Sequence, residues 1–253
     1  MARRATAIKQ YRATGKSVLL LDAGDSLLND KDPARATRGR ISIELMNKMG
    51  YDAMTLGSLD LSLLSLDELR QRIAEARFAV LSANVFVAGS QELLAEPYRI
   101  IELEGHQVAI LGLSDPLPAP VPPNVQVSVA DPLETARQYL PELRQKAEVV
   151  VLLSHAGIEA NKKIAQQVEG IDVIVSGRNP TSPEAIVVEP YGTLIVHADQ
   201  ASPGLAGERI GKANLGFDAK GNLTRHSWET IALDSSYADD TEIKEYLAQQ
   251  SPK

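Results

Sequence analysis

The chain has 253 residues, of which 44% are apolar and only 4% aromatic, with a net charge of −7 and no cysteine. The length allows one large α/β domain or two small ones, with Val, Leu, Ile and Ala filling the core. The acidic balance argues against nucleic acid polymers and anionic membranes, which demand clustered Lys and Arg, and the missing cysteines exclude disulfides, thiolate metal sites and thiol catalysis.

The spacing of Ala5, Ile8 and Tyr11 predicts a helix over 2–14, stopped at Gly15. A strand over 17–22 follows, because Val18 to Leu21 is a short apolar run of the kind found in fully buried strands. It ends in Asp22-Ala-Gly-Asp25. Such a strand delivers carboxylates to the carboxyl edge of a parallel sheet, where open α/β sheets bind ligands. The alternative is that Asp22 and Asp25 only cap a turn or the next helix. A polar loop, 24–36, leads to a helix that Thr37 can cap, with Ile41, Ile43, Leu45, Met46 and Met49 inward and a stop at Gly50. Asp52 to Leu56 is a short strand ending at Gly57, Ser65 caps the next helix, and Phe78 to Asn84 is a third strand. This order predicts a parallel sheet with right-handed crossovers.

A hairpin comes next: Tyr98 to Leu103, a turn at Glu104-Gly105, then Val108 to Leu113. Five prolines within 116–125 exclude helix and inner strand there. A helix from Asp131 or Pro132 to Lys146 precedes the apolar strand Glu148 to Leu153, which ends at Ser154-His155-Ala-Gly157. A helix over 158–168 leads to the strand Ile171 to Ser176 and then Gly177-Arg178-Asn179-Pro180. From 184 onward the pattern is short antiparallel strands: 185–189, 193–197, 207–217 and 223–233, with a turn at Asp218 to Asn222. Thr241 to Gln249 reads as a terminal helix. The whole of 1–253 is expected to be one domain: a strand–helix half (1–183), antiparallel strands (184–233) and a C-terminal tail (234–253).

Four strand ends therefore carry polar residues that can converge: Asp22/Asp25, Gly57-Ser58-Leu59-Asp60, Ser154-His155 and Gly177 to Pro180. The stretches around them resemble the catalytic domain of the 5′-nucleotidase group of calcineurin-like metallophosphoesterases. The resemblance rests on Leu-Leu-Leu-Asp-Ala-Gly-Asp25-Ser-Leu, Glu44 to Gly57, Leu81-Ser-Ala-Asn84, Val150-Val-Leu-Leu-Ser-His155-Ala-Gly, Ile171 to Gly177, Tyr191-Gly-Thr-Leu-Ile-Val and Ile210-Gly-Lys-Ala-Asn-Leu, in the family's order. It implies an α/β fold (α+β by some schemes), a four-layer αββα sandwich lacking its first strand.

The resemblance also implies two divalent metals bridged by an aspartate, which activate water and clamp a phosphate. Asp25 matches the bridging aspartate and His155 a ligand of the second metal. The remaining motifs depart from the family. Its first Asp-X-His motif has no counterpart. Ser58 and Leu59 replace a metal-binding amide and the assisting histidine, and Arg178 and Pro180 replace two ligands. A usable single metal site takes at least about three protein ligands, and only Asp25 and His155 persist. Hence no cofactor is expected, the alternative being Zn, Mn or Mg ions. Arg178 is expected to pair with Asp25 or Asp60, replacing the cation electrostatically. The vestigial site comprises Asp22, Asp25, Ser58, Leu59, Asp60, His155, Arg178 and Asn179, with no catalytic residue assigned.

Other polar residues receive plainer readings. His106 is expected to be exposed beside its turn, His197 to end a strand near the site edge, and His226 with Trp228 to be surface or packing. Asn84 should hydrogen-bond a loop, while Asn161 and Lys162-Lys163 read as a solvated helix face. Three functions follow: a catalytically degenerate domain serving as a binding or structural module, a metal-dependent hydrolase of nucleotides or other phosphate esters with a remodelled site, or an anion-binding module around Arg178. The expected partner is a protein or further domains of a larger chain, with neither nucleic acid nor membrane involved. No counterpart of the family's nucleotide-specificity domain is expected within 1–253. No run approaches the ~18 apolar residues of a membrane span, and Met1-Ala-Arg-Arg shows no signal-peptide pattern. The resemblance suggests a periplasmic or extracellular setting if an upstream signal was removed.

Overall fold

The structure is a computed structural model that describes residues 1–28, 33–117, 119–122, 125–178, 184–198 and 208–250. In chain order the first half contains α1 (Ala2–Arg12), β1 (Leu21–Asp22), α2 (Arg40–Met49), β2 (Ala53–Thr55), α3 (Ser58–Leu63), α4 (Leu66–Glu75), β3 (Ala79–Leu81) and β4 (Val85–Val87). The hairpin β5 (Tyr98–Leu103) and β6 (His106–Leu113) follows, then β7 (Val127–Val129), α5 (Pro132–Lys146), β8 (Val149–Ser154), α6 (Ile158–Gln167) and β9 (Val173–Ser176). The last elements are β10 (Ile186–Val188), β11 (Thr193–Val196), β12 (Arg209–Phe217), β13 (Leu223–Ala232) and α7 (Thr241–Gln250).

Two sheets lie face to face. The first is parallel, in the order β1-β2-β3; the second is six-stranded, in the order β10-β11-β9-β8-β6-β5. Side chains alternate across each strand, so both faces of the central strands are buried. On the first sheet Met54 and Val80 point outward to Leu45, Met46 and Leu69 of α2 and α4. Ala53, Ala79 and Leu81 point inward against Ile110 and Leu153 of the second sheet. On the far face Ala109, Leu111, Val150, Leu152 and Ile174 meet Leu140, Leu143, Ile164 and Ala165 of α5 and α6. The layers are helices, sheet, sheet, helices: the four-layer α/β architecture. The burial of Val149–Ser154 at every position follows from its place between β6 and β9.

Local signals set most helix ends. At α4, Ser65 and Glu68 form a reciprocal capping box. At α5, Asp131 accepts the Glu134 N–H at 2.9 Å and Pro132 occupies the first turn.

Several expectations are corrected. The cap of α2 is Gly39, although the Thr37 hydroxyl accepts the Ile41 N–H at 3.3 Å one turn earlier. The strand expected over 17–22 has ladder pairing only at Leu21 and Asp22, and Val18 to Asp22 are half-buried because β1 ends its sheet among the described residues. The strands after 184 are not all antiparallel: β11 runs parallel to β9 and extends the second sheet. The small antiparallel pair β4–β7 and the short helix α3 were not anticipated. His106 is half-buried, its ring 6.3 Å from that of Phe217. No helix among the described residues is long and apolar enough to cross a membrane.

Candidate functional site

All strands that feed the cleft run parallel within their sheets, so their carboxyl ends share one edge. Asp25 follows β1, Gly57 opens α3 after β2, Asp115 follows β6, His155 follows β8 and Arg178 follows β9. Two of these, Asp25 (φ 59°) and Arg178 (φ 58°), hold the left-handed backbone conformation that non-glycine residues rarely adopt.

Asp25 and His155 join the two sheets. The Asp25 Oδ2 accepts from His155 Nε2 at 2.9 Å, and its Oδ1 accepts the Leu59 N–H at 2.8 Å. The other ring nitrogen, Nδ1, faces the Ala23 carbonyl at 2.5 Å. Both nitrogens thus face acceptors, and only the imidazolium can donate twice. Burial opposes the charge, but the hydrogen bond and negative charge of Asp25, with the Ala23 carbonyl and Asp115, outweigh it and raise the His155 pKa to about 9.

Backbone approach makes this contact possible. A Cβ at Gly177 would collide with the Ala23 carbonyl oxygen and lie 2.6 Å from His155 Nδ1. A Cβ at Gly57 would run into the Asp25 carboxylate. Glycine is required at both positions by space.

Arg178 does not pair with Asp25 or Asp60. Its Nη1 donates to Asp115 Oδ2. Asp115 is fully buried, and its other oxygen accepts the Ser58 N–H at 2.9 Å. Burial pushes the Asp115 carboxyl upward, against the pull of His155, the Ser58 hydrogen bond and Arg178. The expected partner Asp25 is engaged by His155, and Asp60 is turned inward. Its Oδ1 accepts from Leu27 N (3.0 Å) and its Oδ2 from Asp25 N (2.9 Å) and Gly57 N (3.1 Å). Burial and then the charge of Asp25 push the Asp60 pKa up to about 7. Asp60 is a loop clamp and helix cap.

Asp22 braces its own turn, accepting from Gly24 N at 3.0 Å and Ser26 Oγ at 2.8 Å, while burial raises its pKa. Ser58 is buried, whereas the Leu59 side chain stands 48% exposed at the mouth of the cleft. Asn179 and Pro180 lie outside the described residues.

Two buried asparagines hold the strand ends that carry the ion pair. Asn84 donates to the Ser114 and Ala130 carbonyls at 2.8 and 2.9 Å and accepts the Ser114 N–H at 2.9 Å, fixing the residue next to Asp115. Its expected role as a loop partner is correct. Asn161 is no solvated-face residue: it is wholly buried, accepting from Ser154 Oγ at 2.6 Å and donating to Ser176 Oγ at 2.8 Å. It ties α6 to the ends of β8 and β9, beside His155 and Gly177. His197, directly after β11, is 7% exposed, and burial with the nearby His155 charge lowers its pKa to about 4. His226 is exposed on β13.

Asp115 was missed by sequence reasoning, although Leu113-Ser-Asp115-Pro carries the same polar-after-strand signal as the four stretches selected. The helix at Ser58 was also legible, because an acid three residues after Gly57 is a cap pattern. Among the described residues, no group of three or more His, Asp or Glu is arranged to hold a metal ion.

No family model matches the chain. It is 30% identical over 262 residues to the snake venom 5′-nucleotidase of Gloydius brevicauda, covering 96% of this chain and 44% of that protein. It is 29% identical over 263 residues to the 5′-nucleotidase of Bos taurus, covering 96% and 46%. The crystal structure of a 5′-nucleotidase precursor from Thermus thermophilus superposes with a TM-score of 0.86 at 29% identity, over 98% of this chain and 52% of that one. The chain thus spans about half the length of these proteins or slightly less.

Proposed function

We propose, from the premise that this chain belongs to the 5′-nucleotidase family of metallophosphoesterases, that it is a catalytically degenerate member serving as a binding or structural module. The observation that carries this reading is the pairing of the cleft charges with one another. The Asp25 carboxylate is committed to His155 and the Leu59 amide, and Asp115 to Arg178 and the Ser58 amide.

This donor set does not fit a divalent cation. Asp25 and His155 are the two family ligand positions retained, short of the about three protein ligands that a single metal site takes. A guanidinium at the same edge repels a cation; at ~4 Å the cost is about 4 kcal/mol per unit charge at intermediate dielectric. Two cationic side chains, His155 and Arg178, offset two carboxylates where the family resemblance calls for metal ions. Leu59, with no ionisable atom, stands where proton transfer would need a group that can titrate. The cleft is thereby a structural joint between the sheets.

Metal loading and turnover test this together. After equilibration with Mn²⁺ or Zn²⁺ and removal of free ions, elemental analysis should find substoichiometric metal. EDTA should leave the melting temperature unchanged, and hydrolysis of p-nitrophenyl phosphate should not exceed that of Asp25→Ala. Stoichiometric metal with Asp25-dependent turnover would support the remodelled hydrolase instead.

A further inference from the structure

Asp25 and Asp115 are held in the same way. Each places one carboxylate oxygen on an amide of the first turn of α3: Leu59 N for Asp25, at 2.8 Å, and Ser58 N for Asp115, at 2.9 Å. Each gives its other oxygen to a side-chain nitrogen, that of His155 and that of Arg178 respectively. Because Ser58 and Leu59 are consecutive, the two carboxylates stand side by side. The other two acids at this edge are engaged by backbone: Asp60 accepts three amide N–H groups and Asp22 holds its own turn.

His155 lies within electrostatic reach of both Asp25 and Asp115. Its Nε2 is 2.9 Å from Asp25 Oδ2. That is close to the ~3 Å between two donors set at right angles around an ion ~2.1 Å from each. What stands against a cation is Arg178. Its guanidinium is charged at every ordinary pH, and it takes the second oxygen of Asp115. A single metal site needs about three protein ligands. With that oxygen occupied, the described residues offer no such group.

We infer that Arg178 is a tethered stand-in for a divalent ion, and that its guanidinium keeps Asp25, Asp115 and His155 from closing around one. The inference rests on the reading of the chain as a degenerate member, and adds which residue maintains that state at this point of the cleft. Two carboxylate oxygens and one imidazole, with water in the remaining positions, suit a hard ion of octahedral habit such as Mn²⁺. A covalently attached cation neutralises Asp115 whatever the supply of metal. The Arg178 side chain is 40% exposed, so its removal opens the buried Asp115 carboxylate to solvent and to an entering ion.

Metal-dependent melting of the whole chain tests it. In millimolar Mn²⁺, Arg178→Met should melt about 5–10 °C higher than without the ion, the gain expected near 100 times Kd. Equilibrium dialysis should find about one Mn²⁺ per chain in this variant. Wild type and Arg178→Lys, which keeps a tethered charge, should show neither effect. Adding Asp115→Asn to Arg178→Met should weaken Mn²⁺ binding at least tenfold. If Arg178→Met melts too low to assay, Arg178→Gln, whose amide can still donate to Asp115, carries the same expectation. Folded neutral variants that ignore Mn²⁺, or a gain undiminished by Asp115→Asn, overturn the inference: Arg178 then only neutralises Asp115. Stoichiometric Mn²⁺ on wild type is the separate result that refutes the degenerate reading itself, and this inference with it.

Discussion

Removing the Arg178 guanidinium should destabilise the protein through Asp115. The Asp115 carboxylate has no exposed surface, while the Arg178 side chain keeps 40% of its exposure. A fully buried pair that loses one partner costs about 3–5 kcal/mol, and an exposed pair about 0–1 kcal/mol. This bridge lies between those limits, and Asp115 retains the Ser58 N–H. One charged hydrogen bond to a buried acceptor is worth about 2 kcal/mol. At about 2–4 °C per kcal/mol for a chain of this size, Arg178→Met should melt about 4–8 °C lower. Asp115→Asn should lose a similar amount, and the double variant little more than either. Urea unfolding of all four proteins gives the coupling energy directly, expected at about 1–2 kcal/mol. The penalty in Arg178→Met should shrink on acidification, because burial already favours the protonated Asp115 carboxyl. A coupling within about 0.3–0.5 kcal/mol of zero, the ordinary additivity error, would refute the pair as a joint across the strand ends.

Proton linkage at His155 gives a second expectation. Its folded pKa of about 9 lies above the ordinary 6.5, so its stabilisation is complete below 6.5 and is lost as pH rises through about 9. Wild type should lose melting temperature over that window relative to His155→Gln; an imidazole NMR titration midpoint near the ordinary value would contradict the contact with Asp25. His197 moves the other way: its pKa of about 4 means stability falls as pH drops from 6.5 toward 4, and its own NMR midpoint checks this. Asn161→Ala removes the link between Ser154 and Ser176, both buried. It should cost about 1–3 kcal/mol by chemical denaturation, whereas a solvated-face residue would cost nothing measurable. Gly177→Ala should be worse tolerated than its small volume suggests, because its Cβ meets the Ala23 carbonyl and the His155 ring; an unchanged melting temperature would show that neither contact is tight.

The order of elements was legible because periodicity is local. Runs such as Val149 to Leu153 announce a strand buried on both faces, and Ser65 or Asp131 followed three residues later by Glu announces a helix start. The convergence of Asp25, Gly57, His155 and Gly177 was also legible, since parallel strands present their carboxyl ends on one edge. Partner choice was not. Asp115 and Arg178 are 63 residues apart, and nothing local to either names the other as its partner. Asn161 looked solvated beside two lysines, yet the turn of α6 aims it at two serines on neighbouring strands.

The sequence by itself determined the alternation of strands and helices, the double-sided burial of the central strands and the set of polar strand ends. Those properties depend on neighbours within a few residues, where the period of the chain fixes which way a side chain points. The tertiary structure alone decided which charge neutralises which, that Asp60 faces inward as a clamp, and that Asn161 ties α6 to the ends of β8 and β9. Each of these turns on distances between segments distant in sequence or on which way a helix face turns, and a pair of charges acquires its energy only once packing has set that separation.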